Sequence, residues 1–277
     1  MSVGRFRCMS RIRVVLVVVA FVFGGVGSRA AVAQEAKSEA SSASVGDVDR
    51  VLTALQDRGD ALKDIRCRVR FVEDDRVNLT KRTKEGRIVL VTGEPNARFL
   101  IQFDKTEADG VAGKREWYLF DGRWLFEGVE RLEQVTKREM ARSGEKLNLF
   151  DLETAPFPLP FGQKKETIRR NFEVTLVPPT SSDPPMVDHL VCIPKPESKF
   201  FDRYDKLEFF VLKELRLPSR IVVTKNGGLE VETADFPDLS GQSINAGVQD
   251  KDLAQPGEWK KYKVVTEELG ATGDSPP

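Results

Sequence analysis

The sequence predicts a mainly β protein: some ten short strands forming an antiparallel sheet curled into a barrel or sandwich, with a helix packed beside it. Three observations carry that reading. Apolar runs of four to seven residues recur at regular intervals with turn residues between them. The period switches from 3.6 to 2 near Ile65. Two turns, Asp121-Gly122 and Lys225-Asn226-Gly227-Gly228, join neighbouring runs as tight hairpins.

In chain order, Arg5, Arg7, Arg11 and Arg13 precede the apolar run VVLVVVAFVFGGV and the small-residue site Ala31-Val32-Ala33. This is the pattern of a secretory signal peptide, 1–33, cleaved near Ala33. The apolar run is well short of the roughly 20 residues a spanning helix needs. The exported chain then belongs in the periplasm of a cell with two membranes. The whole chain carries 43 basic and 43 acidic residues, and loss of five arginines leaves about −5. With that weakly acidic balance no nucleic-acid partner is expected. Residues 34–46 are small and polar, a flexible leader. A single domain follows at 47–265, and 266–277 reads as a disordered C-terminal tail. Nothing in the sequence asks for an oligomer, so a monomer is expected.

Val48, Val51, Leu52, Leu55, Leu62 and Ile65 recur at helical spacing, an amphipathic helix weakened at Gly59. Ile65, Cys67, Val69 and Phe71 then alternate with Arg66, Arg68 and Arg70, a half-buried strand with a basic outer side. Further strands are expected at 87–91, 98–103, both arms of 117–128, 131–136, 172–177, 189–193, 207–212, 220–225, 229–234 and 261–265. A meander is the simplest way to connect them. Cys67 and Cys192, the two cysteines of the exported chain, are either one disulfide or two buried thiols.

Two stretches resist an ordinary reading. In WYLFDGRWLFEG an Asp121-Gly122 turn pairs Leu119 with Trp124 and Trp117 with Phe126, while Tyr118, Phe120 and Leu125 fill the other face. Both faces are apolar, so something apolar must lie on each side. In LNLFDLETAPFPLPFG, Pro156, Pro158 and Pro160 forbid a central strand, yet the segment is too apolar for a solvated loop. It is expected to fold over an apolar surface of its own domain. An unclosed or wide barrel whose surplus apolar surface lines a hollow explains both stretches. Strands packed between the helix and a second sheet explain the hairpin equally.

These pieces, in this order, resemble the periplasmic outer-membrane lipoprotein carrier family (LolA/LolB-like) as a divergent member. The resemblance runs from about 47 to 265 through LTALQDRGDALKDI, EGRIVLVTGEPNARFLIQF, the aromatic hairpin, the apolar connector and YDKLEFFVLKELRLPSRIVVTKNGGLEVETADF. Gly86, Pro95, Asp121-Gly122, Trp124 and Pro218 stand where the family pattern wants them, whereas Glu94 stands where characterised carriers have an Arg that helps hold the lid closed. The loop PPTSSDPPM and the acidic tail are additions. What the resemblance implies is an unclosed antiparallel β-barrel of about 10–11 strands with N-terminal and lid helices over its concave face. Its function would be to hold the acyl chains of a lipoprotein, or another lipid, for transfer from an inner-membrane release complex to an outer-membrane acceptor. The expected lining is Phe71, Phe99, Ile101, Phe103, Trp117, Leu119, Trp124, Phe126, Phe209 and Val211; the expected lid is Val51, Leu55, Leu62, Phe157, Leu159 and Phe161. The alternative is an envelope scaffold or sensor with the same fold and a filled core.

Enzyme chemistry finds no foothold. His189, the single histidine, sits beside LVCI and is expected to be a structural imidazole. One His and two dispersed Cys make no metal site, and neither nucleophile elbow nor phosphate loop is present. No cofactor is expected.

Overall fold

The computed structural model describes residues 45–93, 96–147, 161–255 and 259–269. The expected signal peptide, nearly all of the expected leader, Glu94, Pro95, Phe157, Leu159 and the tail from 270 lie outside the described residues.

A helix, α1 (Val45–Asp60), buries Val48, Val51, Leu52 and Leu55 on one stripe. Its apolar spacing dictates that stripe. Thirteen strands form one sheet: β1 (Asp64–Asp75), β2 (Thr80–Val91), β3 (Arg98–Ala108), β4 (Val111–Ala112), β5 (Glu116–Phe120), β6 (Trp124–Val129) and β7 (Gln134–Glu139), then β8 (Phe172–Val177), β9 (Val187–Pro194), β10 (Lys206–Leu212), β11 (Pro218–Lys225), β12 (Glu230–Asp235) and β13 (Lys263–Glu267). A short helix, α2 (Lys165–Asn171), precedes β8. The strand order β13-β7-β6-β5-β3-β2-β1-β12-β11-β10-β9-β8, with β4 beside β3, is two meanders joined where β12 pairs with β1. The sheet does not close, because β13 and β8 are its two edges. Leu125 of β6 and Phe172 of β8, from opposite ends of the sheet, nonetheless share one cluster with α1. The sheet therefore curls around the helix, as right-handed strand twist favours.

Several local expectations are corrected. The hairpin pairs Leu119 with Phe126 and Trp117 with Gly128, not with Trp124 and Phe126. Gly122 and Arg123 are the turn centre: Asp121 Oδ1 accepts the N–H groups of Arg123 (2.9 Å) and Trp124 (2.7 Å), and Gly122 takes φ +103°. Asp121 therefore acts as the side-chain cap at the start of the turn rather than as a central residue. The strand expected at 131–136 begins at Gln134, because Glu130–Leu132 forms a 3-10 turn and Glu133 adopts φ +48°. The strand near the end is shifted to Lys263–Glu267, two residues into the expected tail, and it pairs parallel to β7. Parallel pairing follows from its approach, since the chain crosses a face of the sheet before joining the edge. Cys67 and Cys192 are free and buried, on β1 and β9 with three strands between them.

The inner face of the sheet is apolar across nearly its whole width. The outer face is divided. Over β3, β5 and β6 it is apolar; over β1, β11 and β12 it carries charges, with Arg70 Nε 3.5 Å from Glu85 and Arg220 Nε 2.6 Å from Asp235.

Candidate functional site

Strand period places Ile65, Cys67, Val69 and Phe71 of β1 on the inner face, where cross-strand pairing adds Ile88 and Leu90 of β2 and Phe99, Ile101 and Phe103 of β3. From the second meander come Leu207, Phe209 and Val211 of β10 and Ile221 and Val223 of β11. Over this surface lie Val51, Leu55 and Leu62, together with Phe161, whose ring is 5.1 Å from that of Phe236. Six expected lining residues (Phe71, Phe99, Ile101, Phe103, Phe209 and Val211) thus meet four expected lid residues in one cluster. Phe99, Ile101, Phe103 and Phe161 are fully buried, so the cover fits without a gap there.

The other four expected lining residues are on the wrong side. Trp117, Leu119 and Phe126 belong to a second cluster with Val89, Leu100, Val135 and Leu253, and Trp124 packs against it. The reason is register: Phe99 pairs with Phe120 and Ile101 with Tyr118, so Tyr118 and Phe120 face inward while Trp117 and Leu119 face out. Sequence reasoning set aside Tyr118, Phe120 and Leu125, which are the true inner residues of the hairpin. Their signal was available only through pairing with β3.

The outer cluster also shows what the second apolar face of the hairpin packs on. It is the chain's own C-terminal segment, which leaves the end of β1, where Asp64 Oδ1 accepts the Ala246 N–H at 2.9 Å. It then passes β1 through an ion pair between Arg66 and Asp252, and β3 through Arg98 Nη1 and Asp250 Oδ1 at 3.0 Å. Trp259 then stands edge-on to Trp117 and Phe126 at 5.5 and 5.7 Å. Gly128 makes room for this packing, since a Cβ there would lie 1.9 Å from Trp117.

The inner cover is fastened differently. Asp49 of α1 accepts from Arg169 Nη2 (2.5 Å) and lies 3.2 Å from Lys165 Nζ; Gln56 Oε1 accepts the Lys165 N–H at 3.0 Å. Hydrogen bonds from Arg169 and then Lys165 hold the Asp49 carboxyl below its ordinary value. Backbone contact is close at one point, where a Cβ on Gly59 would lie 2.0 Å from Gly162 Cα. The glycine that weakens the helix is therefore what lets the loop behind Phe161 reach it. On its other flank α1 borders a cleft of about 520 Å³, lined by Arg50, Val51, Ala54, Asp188 and Val211 among others, which leads from solvent to the edge of the inner cluster.

His189 lies on the outer face, stacked on Phe210 at 4.1 Å, with Nε2 3.2 Å from Glu208 Oε1. Asp183 Oδ2 is 3.2 Å from Nδ1 but outside hydrogen-bond alignment. Burial pushes the Cys192 thiol up to about 12 and the Cys67 thiol higher still, so both are packing groups rather than nucleophiles. Among the described residues no group of three or more His, Cys, Asp or Glu is placed to hold a metal, and no helix is long and apolar enough to cross a membrane.

No protein-family model and no curated protein matches the chain. Solved structures similar to it include an uncharacterized conserved protein from Thermus thermophilus, 11% identical over 80% of this chain and 99% of that one, with a TM-score of 0.42. The MucA/MucB complex of Pseudomonas aeruginosa is 15% identical over 79% and 64%, TM-score 0.44. A LolA superfamily protein from Nitrosomonas europaea is 12% identical over 75% and 97%, TM-score 0.31. The sheet of this chain is itself unclosed, with α1 and α2 packed against its inner face.

Proposed function

We propose that the protein is a non-catalytic periplasmic carrier that holds acyl chains of lipoproteins, or of another lipid, against the inner face of its sheet in place of α1 and the loop behind Phe161. The observation that carries this reading is how the inner face is covered. Among the described residues its cover shares no strand pairing with the sheet and is tied down by side chains, so it can lift without breaking a backbone ladder.

The magnitudes agree with exchange. Val48, Val51, Leu52, Leu55 and Phe161 bury their side chains, at roughly 1.5–3 kcal/mol each as an upper range. A sixteen-carbon chain gains about 0.8 kcal/mol per buried methylene, roughly 12 kcal/mol in all. Cover and cargo are therefore of similar worth to the sheet, the balance that loading and release both need. On this reading the protein receives its cargo from an inner-membrane release complex and passes it to an outer-membrane acceptor, with no bond made or broken.

A second reading has one observation in its favour. Phe99, Ile101 and Phe103 are already fully buried by the chain itself, as a scaffold or sensor with a permanently filled core requires. Native mass spectrometry of protein purified from the periplasm without detergent, followed by organic extraction, separates the two. The carrier co-purifies with a lipid or acylated peptide, or takes up added acyl chains; an empty protein that refuses them is the scaffold.

A further inference from the structure

The inner face is not apolar to its end. Beyond Phe103 and Tyr118, whose rings meet edge-on at 6.5 Å, the same side of the sheet carries Lys84, Glu116, Glu127, Thr136 and Arg138. Their common facing follows from register: Tyr118 is directly opposite Glu127, and Glu127 is opposite Thr136. Glu127 is 3% exposed, Thr136 4% and Lys84 7%, so these three are interior, while Glu116 and Arg138 are partly exposed at the margin of the cluster.

Its charges are unevenly satisfied. Lys84 Nζ donates to Glu116 Oε2 at 2.7 Å and stands 5.8 Å from the Phe103 ring centre. Arg138 donates through Nη1 to Glu127 Oε1 at 3.2 Å and through Nε to Glu267 Oε2 at 2.7 Å. Both cations are thus engaged, and Glu127 Oε2 is buried without a hydrogen bond. A buried acceptor in that condition costs about 1–3 kcal/mol, more when charged. Burial, opposed by Arg138 and aided by Glu267, pushes the Glu127 carboxyl up. The Tyr118 hydroxyl is pushed up by burial and then by the nearby Glu116 and Glu127, a mark of a locally negative field.

We propose that this cluster seats the polar head of the cargo: an acyl or alkyl chain lying along Phe71, Phe99 and Phe103, whose head bears hydrogen-bond donors and no negative charge and donates to Glu127 Oε2. The inference rests on the carrier reading and adds the class of head group. An ammonium, a hydroxyl or the N–H of an acyl amide meets the requirement. A free carboxylate does not, because it would bring a further anion beside Glu116 and Glu127.

The test is displacement of the neutral fluorescent probe N-phenyl-1-naphthylamine from the full exported chain by dodecylamine, dodecanol and dodecanoate at neutral pH. Dodecylamine and dodecanol should displace it at concentrations at least about tenfold lower than dodecanoate, the ratio expected of one charge-assisted hydrogen bond. Glu127→Gln should narrow the amine-to-carboxylate ratio to within about threefold while leaving dodecanol binding in place. Equal displacement by all three would overturn the head seat and leave the carrier reading standing. Failure of all three to bind would overturn both. The order in the unaltered protein decides the matter even if Glu127→Gln does not fold.

Discussion

Across β3, β5 and β6 the sheet is apolar on both sides except at the Glu116 and Glu127 end of its inner face, and its two sides are closed by covers of opposite kind. The outer cover is the C-terminal segment. It inserts Leu253 and Trp259 and then becomes β13, bonded to β7 along the backbone, with the Lys263 N–H donating to the Glu133 carbonyl at 2.8 Å. The inner cover is α1 with Phe161, held by packing and by partly exposed pairs such as Asp49 with Arg169. Exposed pairs contribute roughly 0–1 kcal/mol each, far less than a ladder that must be broken as a unit. Equal burial therefore does not mean equal permanence. Both faces are core in this structure; on the proposed carrier reading the inner face is core only while its cover is down.

The contrast between the covers breaks most visibly if the outer cluster is cut. Trp117→Ala removes a large buried side chain and should cost about 3–5 kcal/mol in urea denaturation, without raising binding of an acyl probe to the folded protein. Raised binding at constant fold would mean that the outer face is also a ligand surface.

A matched pair of glycine substitutions sharpens it. Gly59→Ala places a Cβ 2.0 Å from Gly162 Cα, and Gly128→Ala places one 1.9 Å from the Trp117 ring. Each overpacks its side and should cost about 1–3 kcal/mol. The expected divergence is in ligand uptake: Gly59→Ala pushes the inner cover away and binds N-phenyl-1-naphthylamine more readily than the parent, whereas Gly128→Ala does not. Identical behaviour of the two would erase the distinction between the faces.

The smallest effect is expected at the latch. Asp49→Asn removes the charge that Arg169 and Lys165 share, and should speed probe uptake with little change in global stability. The sign of its pH dependence follows from the depressed carboxyl of Asp49. The folded state holds that proton less tightly than the unfolded chain, so its contribution to closing is complete above the ordinary aspartate value of about 4 and is lost as pH falls through the lowered value. Stopped-flow uptake by the parent should accelerate in that acid window, and the step attributable to Asp49 should be missing from Asp49→Asn.

The elements that follow from local periodicity were legible in the sequence. The alternation of Ile65 to Phe71 with Arg66 to Arg70 stands where its spacing put it, and so does α1 as far as Leu55, but the helix ends at Asp60, so that Leu62 lies beyond it and Ile65 belongs to β1. What depended on pairing was not. Each arm of the hairpin offered two apolar faces, and only the alignment of Phe99 with Phe120 assigns Tyr118 and Phe120 to the inside. The C-terminal cover escaped notice because its apolar residues, Leu253, Trp259 and Tyr262, are scattered among charges with no period, although two aromatics in a polar tail were a signal. α2, at seven residues, is too short to display a helical stripe. Glu127, between Phe126 and Gly128, gave no local signal of burial; its pairing with Tyr118 is what buries it.

On the carrier reading proposed above, loading requires that the inner cover leave to admit a chain while the outer cover stays. Amide hydrogen exchange read by mass spectrometry, on the protein with and without saturating dodecylamine, addresses this directly. The expected result is faster exchange across Val45–Asp60 on loading, with the segment around Trp259 and β13 unchanged. Bound ligand with α1 as protected as before, or deprotection of β13 instead, would contradict it.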